Sequence, residues 1–316
     1  MKAWVESYGC TMNQGEGAQL EARLASMGHI LVTDPADAEL IVVNTCTVIR
    51  ETERRMLKRL EELSRQQRKV VVTGCLAAVQ SSEAVKMAPG ALIIPPRSYD
   101  SFDELVEERF GPSGAPPTIA PPSATSAVLP IAQGCLGSCS YCITRLARGT
   151  LVSYPPDQLI GEATRLVASG AAELLITAQD TAAYGIDRDT DLGRLLEAIA
   201  AIPGDFRARV GMMNPQSLAP VLPSFLAAWC SPKIYQFVHL PVQSGSPRML
   251  EAMNRQHSTR EFEGMVRELR SASPDMCLAT DVIVGFPGET DDDHGATIEL
   301  MRRVRPEIIN VTRYSP

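Results

Sequence analysis

The chain has 316 residues, of which 45% are hydrophobic and 21% are charged. This composition is typical of a folded globular protein, so it excludes a disordered chain, a collagen and a small disulfide-stapled domain. The formal net charge is -7, which excludes a basic field over the whole molecule that would attract nucleic acid. The length is sufficient for about two domains.

The first third of the sequence alternates between strand and helix patterns. Apolar runs predict strands at 2–7, 40–44, 69–73 and 91–94, and helical periodicity predicts helices at 13–27, 48–67, 82–87 and 102–110. Strands that alternate with helices form a parallel sheet with helices on both faces. We therefore predict an N-terminal α/β domain with a doubly wound parallel sheet over residues 1–110.

Residues 111–126 interrupt this alternation. They contain five prolines and no apolar periodicity, and proline disrupts both helices and sheet ladders, so they are predicted to form a domain linker. Beyond it, strand-like runs separated by helical patterns occur at 127–132, 174–178, 208–212, 236–240, 278–284 and 308–312. These six repeats predict a partial (βα)6 barrel over residues 127–316. Because no helix follows the last strand, we expect the sequence to be truncated before the last helix of the barrel.

Three cysteines, Cys135, Cys139 and Cys142, follow the first barrel strand in a C-x3-C-x2-C pattern. The carboxyl end of a barrel strand is where catalytic groups collect. Three thiolates suit three corners of a 4Fe-4S cube and leave one iron free for a further ligand. Structural zinc is the alternative, but it requires four ligands and no Cys or His partner lies at the usual short spacing. Cysteines that only pack in the core are a third interpretation.

A second set consists of Cys10, Cys46 and Cys75, and each member follows a predicted strand of the first domain. In a parallel sheet these positions share the carboxyl edge, where open α/β sheets place their ligand crevice. The set predicts a second 4Fe-4S cluster, with core cysteines as the alternative. Cys230 and Cys277 lie in apolar surroundings without such partners and are predicted to be core residues.

Two arginines, Arg145 and Arg148, come directly after the second-domain cysteines. A guanidinium group can bind phosphate or carboxylate with two parallel hydrogen bonds, so both are candidate substrate-binding residues. Solvated surface arginines are the alternative interpretation.

The Cys135, Cys139 and Cys142 set, with an aromatic residue before its last cysteine, resembles the motif of the radical S-adenosylmethionine superfamily. The resemblance implies that S-adenosylmethionine binds the free iron, with Tyr141 near its adenine. It also places Ile283 and Gly285, in the segment 281–289, beside the adenine. The alternatives are a packing aromatic for Tyr141 and a buried strand followed by a turn for the segment.

The chain also resembles the methylthiotransferase family over nearly its whole length. The segments that carry this resemblance are SYGCTMN at 7–13, NTCTV at 44–48, GCLA at 74–77, HLPVQSGS at 239–246 and VGFPGET at 284–290, together with the radical motif. Gly134-Cys135-Leu136 and the segment 211–215 look more like the archaeal and eukaryotic branch that acts on threonylcarbamoyladenosine than like the isopentenyladenosine branch. Another branch of the family modifies a ribosomal-protein aspartate.

The family resemblance implies a mechanism, cofactors and partners. The barrel cluster would cleave S-adenosylmethionine to a deoxyadenosyl radical, and the first-domain cluster would hold a sulfur that is methylated and transferred to the base. The cofactors are then two 4Fe-4S clusters and S-adenosyl-L-methionine. The partners are a tRNA, an electron-donating reductase or ferredoxin, and a sulfur source. Relatives end in a small RNA-binding domain, which we expect to be missing from this sequence.

Four further residues are candidates for cofactor contacts in the barrel. Gln179 and Asp180 end the strand 174–178 and match a site-lining segment of the family, and the alternative is a structural turn. Gln243 and Ser244 lie in the segment 239–246 and are assigned on the same basis. An iron-sulfur scaffold or sulfur carrier without catalytic activity is the alternative to an enzyme.

No apolar run reaches the ~18 residues that a membrane span requires, and the N-terminus lacks the design of a signal peptide. Eight cysteines in such a chain are unlike a disulfide framework, which forms in oxidising compartments. We therefore predict a cytoplasmic protein that does not contact membranes.

Overall fold

The computed structural model describes residues 1–48, 50–113 and 125–315. The chain divides into two compact units, Met1–Pro122 with Ile143–Gly149, and Ser123–Cys142 with Thr150–Pro316. Most of the predicted linker lies outside the described residues. The segment Ile143–Gly149 was expected within the barrel domain, and its place in the first unit corrects that expectation.

The described part of the first unit is built on five strands. Its strands are β1 (Lys2–Ser7), β2 (Ile30–Leu31), β3 (Leu40–Thr45), β4 (Lys69–Gly74) and β5 (Leu92–Ile93). Its helices are α1 (Thr11–Ser26), α2 (Arg50–Arg65), α3 (Cys75–Val79), α4 (Ser81–Met87), α5 (Phe102–Phe110) and α6 (Thr144–Arg148), with 3-10 turns at Pro35–Asp37 and Pro96–Ser101. The edge strand β2 was not predicted, because two residues are too few to show a periodicity.

All strands of this sheet are parallel, in the order β2-β1-β3-β4-β5. Every residue of the central strand β3 is buried. Its residues alternate between two cores: Ile41 packs on one face with Leu60 of α2, and Val42 packs on the other with Leu20 of α1. A central strand that is covered on both faces is largely apolar, as residues 40–43 of β3 are, and only Asn44 and Thr45 at its carboxyl end are polar. The predicted doubly wound sheet is confirmed.

The second unit contains the remaining elements. Its strands are β6 (Ser126–Pro130), β7 (Ala132–Gln133), β8 (Val152–Ser153), β9 (Glu173–Thr177), β10 (Arg207–Val210), β11 (Phe237–His239), β12 (Cys277–Val284) and β13 (Ile308–Arg313). Its helices are α7 (Pro156–Ala168), α8 (Leu192–Ala200), α9 (Pro215–Leu218), α10 (Leu222–Trp229), α11 (Pro247–Ala252), α12 (Thr259–Ala272) and α13 (Asp291–Val304), with 3-10 turns at Thr181–Ala183 and Ala219–Val221.

Six of these strands form the barrel wall. The strands β6, β9 and β10 pair in parallel, as do β11, β12 and β13. A parallel bridge from Ala208 to Ile234 links the two groups. The wall therefore runs β6-β9-β10-β11-β12-β13 in chain order, which confirms the predicted partial barrel. The first predicted strand is interrupted at Ile131, after which β7 pairs antiparallel with β8.

The main core of the second unit lies between the barrel wall and its helices. Leu174 on β9, Val238 on β11 and Leu278 on β12 are buried with the helix residues Phe225 and Trp229. The rings of Phe225 and Trp229 stack with their centroids 5.8 Å apart. This packing holds the barrel strands in fixed positions. In the described part of the chain, no helix combines the length and apolar character that crossing a membrane requires.

The close packing of α8 against α10 depends on Gly193. An added Cβ would lie 2.4 Å from the backbone carbonyl atoms of Ser224, which cannot move aside as a side-chain end can. We expect Gly193→Ala to lower the free energy of unfolding by about 1–3 kcal/mol, measured by chemical denaturation. The matched control is Gly161→Ala in α7, where no heavy atom of the described residues lies within 4 Å of the added Cβ. The control should be stabilised by about 0.5–1 kcal/mol, and a similar gain in both variants would contradict the packing.

Candidate functional site

The three cysteines of the first unit follow three neighbouring strands. Cys10 is the N-cap residue of α1 after β1, Cys46 follows β3, and Cys75 begins α3 after β4. Cys46 and Cys75 are buried, at 6% and 5% exposure, and Cys10 is exposed. The pairing of Thr45 with Gly74 brings the ends of β3 and β4 level. The sheet therefore delivers the three thiols to one edge.

Two glycines allow the loops that carry these thiols to touch. Gly9 has a φ of +102°, and an added Cβ would lie 2.9 Å from the Cys46 Sγ. Gly74 has a φ of +83°, and an added Cβ would lie 2.2 Å from the carbonyl oxygen of Thr45. Both backbones are in the region that favours glycine, and neither position has room for a side chain. The loops after β1, β3 and β4 are thus in close contact around the thiols.

Asn13 ties these loops together, and the sequence reasoning missed it. The side chain is fully buried, and its Nδ2 donates to the carbonyl oxygens of Tyr8, at 2.7 Å, and Thr45, at 2.8 Å. The Asn44 Nδ2 donates in turn to the Asn13 carbonyl oxygen at 2.8 Å. Leaving such a buried group without partners costs roughly 1–3 kcal/mol, so Asn13 stabilises the arrangement of the cysteine loops.

Arg148 of α6 reaches the same edge. It is 2% exposed, and its guanidinium forms an ion pair with the buried carboxylate of Glu16. Its Nη2 donates to the Asn13 Oδ1 at 2.8 Å, and its Nε donates to the Cys75 Sγ at 3.3 Å. Arg148 was predicted to bind substrate; in this structure its guanidinium is buried and the carboxylate that it binds belongs to this chain. Arg145 on the same helix is exposed and stays a candidate.

The guanidinium also changes the electrostatics of the thiols. Burial raises the pKa values of Cys46 and Cys75, because it disfavours the charged thiolate. The positive charge of Arg148 partly opposes this rise at both residues. Since thiolates are the metal-binding form of cysteine, Arg148 lowers the cost of placing metal ligands in a buried site.

The three cysteines of the second unit lie in the loop that follows β7. The backbone N–H of Gly137 donates to the Cys135 Sγ at 3.2 Å. An added Cβ on Gly137 would lie 3.3 Å from the Cys135 Sγ and 3.8 Å from the Cys139 Sγ, so these two sulfurs lie on one side of the glycine. All three thiols are partly exposed. Ser140 anchors the loop, because its hydroxyl donates to the Ala252 carbonyl oxygen at 2.9 Å.

A buried arginine also contacts this second set. Arg255 is 7% exposed, and its Nη1 lies 3.5 Å from the Cys139 Sγ and 2.8 Å from the Asn214 Oδ1. Its Nη2 donates to the Pro241 carbonyl oxygen at 2.8 Å. Sequence reasoning missed Arg255, because it lies in another segment of the chain and in no recognised motif. In each cysteine set, one sulfur is therefore in contact with a positively charged guanidinium group.

The predicted residue Asp180 supports the second cysteine set indirectly, through other side chains. It is 1% exposed and accepts hydrogen bonds from the Asn214 N and Nδ2, both at 2.9 Å, and from the Ser217 Oγ at 2.6 Å. Burial raises its pKa despite these bonds. Asp180 thus holds Asn214, which in turn holds Arg255. Gln179 contacts the cysteine loop directly, because its Oε1 accepts from the Gly134 N at 2.7 Å.

Gln243 and Ser244 hold a loop in place. Gln243 has a φ of +72°; its N donates to the Asp281 carbonyl oxygen at 2.8 Å, and its own carbonyl oxygen accepts from the Ile283 N at 3.0 Å. The Ser244 Oγ lies 3.2 Å from the Thr297 Oγ1 of α13. Both residues therefore fix the backbone beside β12.

Two of the remaining predicted cofactor residues, Tyr141 and Ile283, lie together. Tyr141 packs against an apolar cluster that includes Ile283 and Phe286, with the Tyr141 and Phe286 rings edge to face at 6.4 Å. Gly285 has a φ of +73°, and no described atom lies within 4 Å of an added Cβ. The Gly285 backbone thus has open space where a side chain would lie.

The donor chemistry of both cysteine sets fits an iron-sulfur cluster. A zinc ion draws its thiolates to 2.3 Å, whereas each thiolate of a cube binds a different iron. Within residues 1–48, 50–113 and 125–315, no group of three or more His, Cys, Asp or Glu side chains is arranged to hold one metal ion. Cys230 is exposed, which corrects its prediction as a core residue, and Cys277 is partly exposed.

Comparison with known proteins gives two family matches and related sequences. Residues 2–94 match the uncharacterized protein family UPF0004, and residues 129–301 match the Radical SAM superfamily. A probable threonylcarbamoyladenosine tRNA methylthiotransferase from Pyrococcus abyssi (strain GE5 / Orsay) is 40% identical over 100% of this chain and 77% of its own length. A threonylcarbamoyladenosine tRNA methylthiotransferase from Xenopus laevis is 31% identical over 100% of this chain and 60% of its own length.

A solved structure shares the fold. The radical S-adenosylmethionine methyltransferase TsrM from Kitasatospora setae, with cobalamin and a 4Fe-4S cluster bound, matches with a TM-score of 0.66 at 15% identity. The match covers 99% of this chain and 74% of that chain.

Burial and the positive charge of Arg255 together lower the pKa of His257 to about 4. In the unfolded chain a histidine has a pKa of about 6.5. Below that pH the unfolded state therefore binds a proton that the folded state does not. We expect the free energy of unfolding of the metal-free protein to fall as the pH decreases from about 6.5 to 4, by up to about 3 kcal/mol from this residue.

The pH dependence can be assigned by substitution. His257→Leu should flatten the dependence over this range, whereas His294→Gln, at an exposed position, should leave it unchanged. The free energy of unfolding of each variant is measured by denaturant unfolding at several pH values. An unaltered slope in His257→Leu would show that His257 is not the group responsible.

Proposed function

The chain belongs to the threonylcarbamoyladenosine tRNA methylthiotransferase family within the Radical SAM superfamily, and on that premise we propose its reaction. It adds a methylthio group to C2 of N6-threonylcarbamoyladenosine, beside the anticodon of tRNA. The observation that carries the proposal is the presence of two cysteine sets, one at the carboxyl ends of three parallel strands and one in the loop after β7, each in contact with a buried arginine. The family inferred from the sequence motifs is confirmed.

The family requires S-adenosylmethionine and a 4Fe-4S cluster, and Cys135, Cys139 and Cys142 are the residues that would hold that cluster. When bound, the two cofactors supply the radical chemistry that activates an aromatic C–H bond, which side chains alone cannot do. We propose that Cys10, Cys46 and Cys75 hold a second cluster. The sulfur source would deliver sulfur to this cluster. The exposure of Cys10 beside two buried thiols supports a site that is open on one side.

The other residues position these groups. Gln179 orients the cysteine loop through Gly134, and the chain of contacts from Asp180 through Asn214 fixes Arg255. Tyr141, Ile283 and the open backbone at Gly285 would line the adenine of S-adenosylmethionine. Gln243 and Ser244 hold the neighbouring loop against β12 and α13. These contacts would keep the cofactor and substrate in one geometry while water is excluded.

The substrate and partners follow from the same family. The tRNA is the proposed substrate, and the exposed Arg145 is available for one of its phosphates. An electron-donating reductase or ferredoxin would supply the electron, and we propose that the reaction takes place in the cytoplasm. With a net charge of -7, binding of tRNA must rely on local contacts.

Mass spectrometry of tRNA nucleosides tests the substrate. In cells that lack the gene, the methylthio form of N6-threonylcarbamoyladenosine should disappear while the unmodified nucleoside accumulates. The wild-type gene should restore it, and Cys139→Ala should not, because a cluster ligand is lost. Loss of methylthio-isopentenyladenosine instead would contradict the proposed nucleoside, and an unchanged nucleoside pool would contradict the tRNA substrate.

Iron analysis and product analysis test the division of labour between the two cysteine sets. The anaerobically reconstituted chain should bind about eight irons, the content of two 4Fe-4S cubes, and the C135A/C139A/C142A variant should bind about half. Cys46→Ala should still form deoxyadenosine from S-adenosylmethionine under reduction but should not insert sulfur.

Cys230→Ala is the matched control, because Cys230 is exposed and outside both sets. It should retain all the iron and both activities. Failure of iron-loaded wild type to cleave S-adenosylmethionine would favour the scaffold or carrier alternative. Equal loss of both activities in folded Cys46→Ala would contradict separate roles for the two sets.

A further inference from the structure

Arg148 has a role that the proposed reaction leaves unassigned. Along the chain it follows the barrel cysteines closely, yet it belongs to the first unit. There it touches Cys75, a ligand of the proposed second cluster, and no part of it is left for a substrate: its side chain is 1% exposed, and that of Glu16 is 2% exposed. A buried charge with this degree of enclosure is costly unless it is paired and hydrogen-bonded.

The pairing gives the guanidinium one orientation. Nη1 bonds to Glu16, Nη2 to the Asn13 Oδ1 at 2.8 Å, and Nε points to the Cys75 Sγ at 3.3 Å. A guanidinium is planar, stays charged at all relevant pH values and presents its donors in a rigid fork. Because two arms of the fork are held, the third N–H remains aimed at the sulfur.

The ion pair is neutral as a whole but is not symmetric with respect to the sulfur. The group in contact with Cys75 is the guanidinium, while Glu16 binds at another nitrogen of the fork. The positive end of the pair therefore faces the thiolate. Reduction adds negative charge to a cluster, and an N–H donor or positive charge at a ligand sulfur stabilises the reduced form more than the oxidised form.

We propose that Arg148 is a positioning residue that raises the reduction potential of the cluster held by Cys10, Cys46 and Cys75, through its N–H···S contact with Cys75. The proposal rests on the proposed function only in that this cluster must form. The second unit repeats the arrangement independently, with Arg255 at 3.5 Å from the Cys139 Sγ and an asparagine oxygen, that of Asn214, as its anchor.

The test uses the full chain in the C135A/C139A/C142A background, so that only the first-unit cluster is present. The cluster is titrated with dithionite, which donates one electron to it without making or breaking a bond, and the reduced form is followed by electron paramagnetic resonance. We expect E16Q/R148M, which removes both members of the ion pair and leaves no unpaired charge, to lower the reduction equilibrium constant at least tenfold. That change corresponds to about 59 mV for a one-electron couple.

Two further variants separate tuning from folding. R148K keeps the charge but lacks the fork that serves three acceptors at once, so it should retain the iron and recover only part of the potential. R54M is the control on α2 of the same unit, and because Arg54 is exposed the potential should stay at the value of the background. Iron content and circular dichroism are measured for every variant.

A background protein that binds no iron would refute the second cluster, and with it the proposed function, before any change at Arg148 is made. If E16Q/R148M binds about four irons at an unchanged potential, Arg148 is structural only and the tuning role is overturned. Loss of iron from folded R148K would likewise overturn it in favour of a role in cluster assembly.

A measurement on native Arg148 covers the case in which its variants do not fold. The background protein is labelled with 15N-arginine, reduced, and studied by pulsed electron paramagnetic resonance. A weak 15N coupling to the cluster is expected from the N–H···S contact, and the absence of any such coupling would overturn the proposal.

Discussion

The first cysteine set depends on a property of parallel strands, whose carboxyl ends all lie at the same edge of a sheet. In the first unit this property brings together Cys10, Cys46 and Cys75, although they are far apart in sequence. In the second unit the three cysteines share one loop, which follows β7 and so comes after the barrel strand β6 along the chain. Helices pack against the sheets and hold the strands in place, so the packing of the core determines where the thiols lie.

The second constraint is electrostatic. Thiolates that bind a cluster concentrate negative charge in a site of low polarity, and burial alone raises the pKa of Cys75. Arg148 and Arg255 each bring a guanidinium to one sulfur and are each anchored by an asparagine oxygen. Removing one partner of a buried ion pair such as Arg148 with Glu16 costs roughly 3–5 kcal/mol, so this pair stabilises one arrangement of the loops against others.

Hydrogen-bonded polar side chains hold the segments around the cysteines in this arrangement. Asn13 bonds to the loops after β1 and β3, and Asp180 holds Asn214 in the second unit. Asp180 was predicted to be a cofactor-contacting residue, and in the structure its three donors make it part of the support for Arg255.

The sequence alone determined the two-domain α/β class, the six barrel strands, the family and the six cysteines in two sets. These features depend on local periodicity and on short motifs, which are visible without coordinates. Only the tertiary structure decided that Ile143–Gly149 joins the first unit, that Arg148 is buried against Glu16 and that Arg255 reaches Cys139. The reason is physical: an arginine has the same sequence signature whether it is solvated or buried. Its partners come from distant segments, which the packing of the core brings to within hydrogen-bond distance.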